Sequence, residues 1–156
     1  MKVIYSNQPT VDYYSPNSIM LCGPTPRSSD VLSWRPKAIE ILSSIFDGTV
    51  FVPEPSNGER FISYDFQVNW ELASLEHCAI IVAWVPRNMI NMPALVTNVE
   101  FGYWLAKTPN KLIYGRPDDA ANCRYLDFLY KRDTDRIPTS TLEETLSLAV
   151  EFMKGL

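Results

Sequence analysis

Short blocks of apolar residues alternate along this chain with longer stretches in which apolar positions recur every three or four residues. The blocks are KVIY (2–5), SIMLCG (18–23), TVFVP (49–53), AIIVAWV (79–85) and KLIYG (111–115). Each is too short for a helix and predicts a strand, KVIY at a sheet edge. SIMLCG is nearly continuous in apolar residues, as in a strand buried on both faces. AIIVAWV is the strongest signal, apolar and β-branched. The periodic stretches predict helices over 33–46, 64–78, 93 to about 107, 119–132 and 139–156. Ser33 is a candidate N-cap with Pro36 in the first turn, and Asp47-Gly48 ends that helix. In the second helix Phe66, Trp70, Ala73 and His77 mark one face, and Val68, Leu72 and Leu75 a neighbouring one. Ser140 or Thr141 caps the last, which has an acidic first turn. A loop over 54–62 carries Pro55, Asn57 and Gly58.

Strands that alternate with helices at this spacing predict a parallel sheet covered by helices on both faces. Ligands in such sheets bind beyond the carboxyl ends of the strands. Three loops therefore share one rim: 23–30, the stretch after Pro53, and 86–98, with Glu100 just after the third.

The length of 156 residues fits a single domain over 1–156. Apolar residues make up 46%, well above a disordered composition. The net charge is −4 with no block of like charge, which argues against polymeric nucleic acid as a partner. The three cysteines form no C-x-x-C pair, and Cys22 and Cys78 read as small core residues in a reduced, cytoplasmic setting. With His77 the only histidine, neither a zinc site nor a serine or cysteine triad is expected, and no cofactor is called for. The N-terminal stretch lacks the apolar core of a signal peptide, and no apolar run approaches the roughly 18 residues of a membrane span.

Glu100 is the first chemical candidate. A carboxylate near a helix N-terminus is stabilised in its ionised form, and carboxylates are the usual nucleophiles at an anomeric carbon. The alternative is a solvated helix glutamate. Glu71, on the helix feeding the strongest strand, is the second, suited to proton transfer to a leaving base; Glu76 and Asp65 are its rivals. In the first loop Gly23 lets backbone approach a ligand, while Pro24, Thr25, Arg27, Ser28 and Ser29 offer contacts to a sugar or phosphate. The loop matches neither the P-loop nor the dinucleotide pattern. Arg35 either reaches a phosphate or pairs with an acidic neighbour. Trp84 either stacks on a base or packs in the core.

The ordered segments LCGP, a WR helix, FVPEP, WELASLEHCAIIVAWVP, PALVTNVEFGYWLA and KLIYGRP resemble the nucleoside 2-deoxyribosyltransferase-like family, in its short bacterial and phage branch, over about 17–130. The resemblance implies a flavodoxin-like αβα sandwich with a central parallel sheet of about five strands. It implies cleavage of an N-glycosidic bond through a glycosyl-enzyme, which passes to another base or to water. Glu100, in the setting EFG, matches the nucleophile. Glu71 falls where the family has a base-contacting aspartate, and Gly23 matches the first-loop glycine. A homo-oligomer is implied as well, since sites in the family borrow residues from a neighbouring subunit.

Two positions depart from that pattern. Met20 stands where the family carries a tyrosine that orients the nucleophile, and Ala94 where it carries an aspartate or serine for the sugar hydroxyl. Thr97 or Asn98 could replace the second, and Tyr64 or Tyr103 the first. The substrate expected is a nucleoside or nucleoside monophosphate. The alternatives are an NAD glycohydrolase-type activity and a nucleotide-binding sensor without turnover.

Overall fold

The computed structural model describes residues 1–10, 13–56 and 63–155. In chain order the elements are β1 (Lys2–Tyr5), β2 (Ser15–Cys22), α1 (Arg35–Ile45), β3 (Thr49–Val52), α2 (Tyr64–His77), β4 (Cys78–Trp84), α3 (Leu95–Lys107), β5 (Leu112–Gly115), α4 (Arg124–Thr134) and α5 (Leu142–Lys154). A 3-10 turn, Pro109–Lys111, leads into β5. The loop expected over 54–62 is described only to Ser56; Asn57 and Gly58 lie outside the described residues.

The strands form one sheet in the order β1-β3-β2-β4-β5, and each named pairing is parallel. Helices α1 and α5 pack on one face, over Ile19, Leu21, Val50, Ile80 and Val82. Helices α2, α3 and α4 pack on the other, over Met20, Phe51, Ile81, Leu112 and Tyr114. The result is a flavodoxin-like three-layer αβα sandwich. Ile19 to Cys22 and all of β4 are buried, because helices cover both sides of the central strands. The chain moves from β2 outward to β3, then back across to β4. Neighbouring strands β2 and β4 thus lead to connections that diverge, which opens a crevice beyond their carboxyl ends.

Several boundaries differ from the sequence expectation. Trp34 is the backbone cap of α1, although the Ser33 hydroxyl accepts the Arg35 N–H at 3.2 Å. In α2 the buried residues are Trp70, Ser74 and Leu75, whereas Leu72 is 56% exposed. The sheet meets a narrower stripe of this helix than apolar spacing suggested. Helix α4 starts at Arg124 rather than 119, because Asn122 sits at φ 54°, outside helical geometry. Helix α5 is closed by a capping box between Thr141 and Glu144, which selects Thr141 over Ser140.

Arg35 is the largest fully buried polar side chain, 1% exposed. Its Nε donates to the Leu21 carbonyl at 3.2 Å and its Nη2 to the Gly23 carbonyl at 2.7 Å. Its Nη1 donates to Thr25 Oγ1 at 3.0 Å and to Glu54 Oε1. The guanidinium also lies 4.9 Å from the centre of the Trp34 ring, whose Nε1 donates to the Pro24 carbonyl at 3.1 Å. One side chain thus ties the end of β2, the first loop and the residues after β3 to the start of α1. Arg35→Met takes the guanidinium donor from two carbonyls and leaves Glu54 with the Ser33 hydroxyl but without its ion pair, and should destabilise the chain by about 3 kcal/mol in urea unfolding.

Candidate active site

A cavity of about 270 Å³ lies at the crevice beyond β2 and β4. Its floor is the end of β2, with Met20, Cys22 and Gly23. The first loop gives it Pro24, Thr25 and Arg27, and β3 leads into it at Pro53. Helix α2 contributes Tyr64, Gln67, Val68 and Glu71, and the start of α3 contributes Pro93 to Thr97 together with Glu100. The approach of Gly23 to β4 explains the glycine. A Cβ there would lie 2.2 Å from the Trp84 carbonyl oxygen and 2.8 Å from the Trp34 ring, and the first of these is backbone that cannot yield.

Of the candidates, Glu100, Glu71, Gly23, Pro24, Thr25, Arg27, Arg35 and Thr97 line this cavity. Trp84 does not. It is 6% exposed and packs in the apolar cluster with Trp34 under α1, because β4 points that side chain to the opposite face of the sheet. Asn98 is absent from the lining too; its side chain accepts from Arg87 Nη2. The guanidinium of Arg35 makes four of the five hydrogen bonds such a group can donate, to Leu21, Gly23, Thr25 and Glu54, so it shapes the loop more than it meets a ligand. Tyr103 is also outside, its ring 5.5 Å from Lys107 Nζ, while Tyr64 lies within. Among the rivals of Glu71, Glu76 pairs with Lys107 at 2.6 Å and Asp65 is exposed in the first turn of α2.

Glu100 is the sixth residue of α3, on its second turn. The helix dipole acts mainly within the first turn, and burial outweighs it here. Burial raises the Glu100 carboxyl from an ordinary 4.5 to about 7, with Glu71 adding to the rise and Cys22 and Arg35 opposing it. The expected dipole-stabilised anion is thus corrected to a carboxyl that is divided between its two forms near neutrality. Glu71 is also raised, by burial first, against an opposing hydrogen bond from Gln67 Nε2 at 2.9 Å and the charge of Arg35. Two half-buried carboxyls thus share one cavity, with the charge of Glu71 raising Glu100.

Sequence reasoning passed over two residues. Gln67 stands one turn before Glu71 and orients it, a signal present in the i,i+4 spacing. Cys22 donates its S–H to Glu100 Oε2 at 3.2 Å across 78 positions of sequence. The start of α3 is unusual as well. Its cap is Ala94 in the left-handed region, φ 57° and ψ 39°, with no side-chain cap. The first three residues of the helix, Leu95, Val96 and Thr97, all line the cavity. Among the described residues no group of three or more His, Cys, Asp or Glu could hold a metal ion, and no helix is long and apolar enough to cross a membrane.

The family described as nucleoside 2-deoxyribosyltransferase like matches residues 16–119. That span runs from β2 past β5 and includes every residue named in the cavity. Comparison with curated proteins gives no match. Two thirds of the chain, with its whole cavity, lies within the match, and the protein belongs to the nucleoside 2-deoxyribosyltransferase-like family.

Proposed function

We propose that this protein cleaves or transfers the N-glycosidic bond of a nucleoside or nucleoside monophosphate. Ionised Glu100 attacks the anomeric carbon, forming a carboxylate–sugar ester as the carbon–nitrogen bond breaks. The bonding pair leaves with the base, whose departing nitrogen takes its proton from water, while the Glu71 carboxylate holds the base through its N–H groups. Water or a second base then displaces Glu100 from the sugar. The observation that carries this reading is the convergence of Glu100 from α3 and Glu71 from α2 on one cavity at the sheet's diverging connections. Family membership supports glycosyl transfer as the reaction class.

A 5′-phosphate on the substrate is favoured by the start of α3, which has no side-chain cap, with Thr97 and Arg27 both lining the same cavity. Ala94 offers no side-chain bond to a sugar hydroxyl. We further propose a homo-oligomer. Leu95, Val96, Val99 and Tyr103 leave α3 with an exposed apolar stripe, and a Cβ at Gly102 beside it would meet nothing among the described residues. Such a surface suits close approach of a second copy.

Incubation with deoxynucleosides, ribonucleosides, their monophosphates and NAD, read as free base by chromatography, tests the reaction. Release is expected from wild type, with a loss of about 10³-fold or more in Glu100→Ala. Equal release by both would overturn the assignment, and nicotinamide from NAD alone would select the glycohydrolase alternative. Turnover should rise with pH through about 7 as Glu100 ionises.

The raised Glu100 carboxyl also links to stability. Its folded value exceeds its unfolded one, so its contribution is complete below about 4.5 and is lost as pH rises through about 7. Glu100→Gln should therefore be more stable than wild type at pH 8 by up to roughly 3 kcal/mol. Near pH 4 the two should unfold alike in urea. For the assembly, light scattering should give a mass above one chain for wild type and a single chain for Val99→Glu.

A further inference from the structure

The wall behind Glu100 holds a group that neither the family match nor the apolar pattern assigns. Cys22 is the last residue of β2, 2% exposed, and its Sγ donates to Glu100 Oε2 at 3.2 Å. Among the described residues this is the only hydrogen bond to that carboxylate. Met20 and Cys22 point to one face of the sheet, as strand alternation requires, and both line the cavity. The thioether of Met20 has no hydrogen to donate. The donor to Glu100 is therefore supplied two residues further along the same face.

We propose that Cys22 is a positioning residue for Glu100. Its S–H fixes one carboxylate oxygen against the floor, which leaves Oε1 to face the anomeric carbon. This inference rests on the glycosyl-transfer reading and specifies how the nucleophile of that reaction is held.

The chemistry of the pair fits the role. Burial first, and the Glu100 charge next, push the Cys22 thiol well above its usual range. It therefore stays protonated and acts as a fixed donor instead of a competing thiolate. The same bond favours the ionised form of Glu100 and opposes part of the rise that burial imposes. A thiol is a weak donor, so it orients the carboxylate while withdrawing less of its electron density than a hydroxyl or guanidinium would. Simple packing would need only a small apolar group at this position, with no hydrogen aimed at a carboxylate.

Two variants, Cys22→Ala and Cys22→Ser, test this alongside wild type on the substrate found in the panel. Cys22→Ala should lower kcat by about tenfold, the scale of one hydrogen bond to a charged group, with KM nearly unchanged. The acidic limb of its pH–rate profile should move to higher pH. Cys22→Ser should restore most of both, because it returns a donor. A role in packing alone predicts that alanine and serine behave alike and that the limb stays where it is; that result would overturn the proposal. The contact is also read without turnover, by carbon-13 NMR titration of the glutamate carboxyls. The Glu100 midpoint should rise in Cys22→Ala and return toward wild type in Cys22→Ser. If wild type released no base from any substrate, the glycosyl-transfer reading would fall by itself. The NMR titration would then still decide the contact, an unmoved Glu100 midpoint overturning it and a moved one upholding it.

Discussion

A buried guanidinium holds the rim of this protein together. Arg35 reaches from the first turn of α1 to the carbonyls of Leu21 and Gly23, the hydroxyl of Thr25 and the carboxylate of Glu54. Those groups belong to the end of β2, the loop after it and the segment after β3. Without a common donor each would carry unmet hydrogen-bonding capacity away from bulk water, which is unfavourable. Planarity matters, since one fork of N–H groups serves acceptors in several directions at once. Ser33 adds to the arrangement by donating to Glu54 at 2.9 Å. The first loop is fixed again where the Arg27 N–H donates to the Asn91 carbonyl at 3.0 Å, joining it to the loop after β4. The cavity is therefore walled by loops that hold each other.

On that frame the two carboxyls are placed at an energetic disadvantage. Glu100 and Glu71 are both held in surroundings that disfavour their charge, and the charge of Glu71 makes ionisation of Glu100 harder. Cys22 and Gln67 each give one of them a single hydrogen bond, enough to orient without full solvation. In the proposed reaction, the burial that destabilises the anion of Glu100 would also raise its reactivity, since an ill-solvated carboxylate gains most from bonding to carbon. Stability given up at such a position is a common mark of sites built for reaction rather than for folding.

Most of the architecture was legible in the sequence. Five apolar blocks became five parallel strands, and five periodic stretches became helices, because burial on both faces and the 3.6-residue repeat leave direct traces in residue order. Glu100 and Glu71 were legible as candidates because their segments carried recognisable neighbours. The misplaced readings share a cause. Trp84 looked available at a strand end, yet the face it occupies depends on which layer the sheet presents there. Leu72 looked like core until the width of the stripe that α2 buries was known. The start of α4 depended on one residue, Asn122, with a left-handed backbone.

By itself, then, the sequence determined element type, order and the family's reaction class, all of which rest on local periodicity and on motifs of contiguous residues. The tertiary structure alone decided that Arg35 clamps the loop, that Asn98 turns to Arg87, and that burial overrides the helix dipole at Glu100. It also decided that Cys22, which looks like any small core residue in LCGP, meets a carboxylate 78 positions away. Such pairings leave no local trace. Hydrogen bonds and desolvation act over a few ångströms of space, and only the folded path of the chain sets which distant residues come that close.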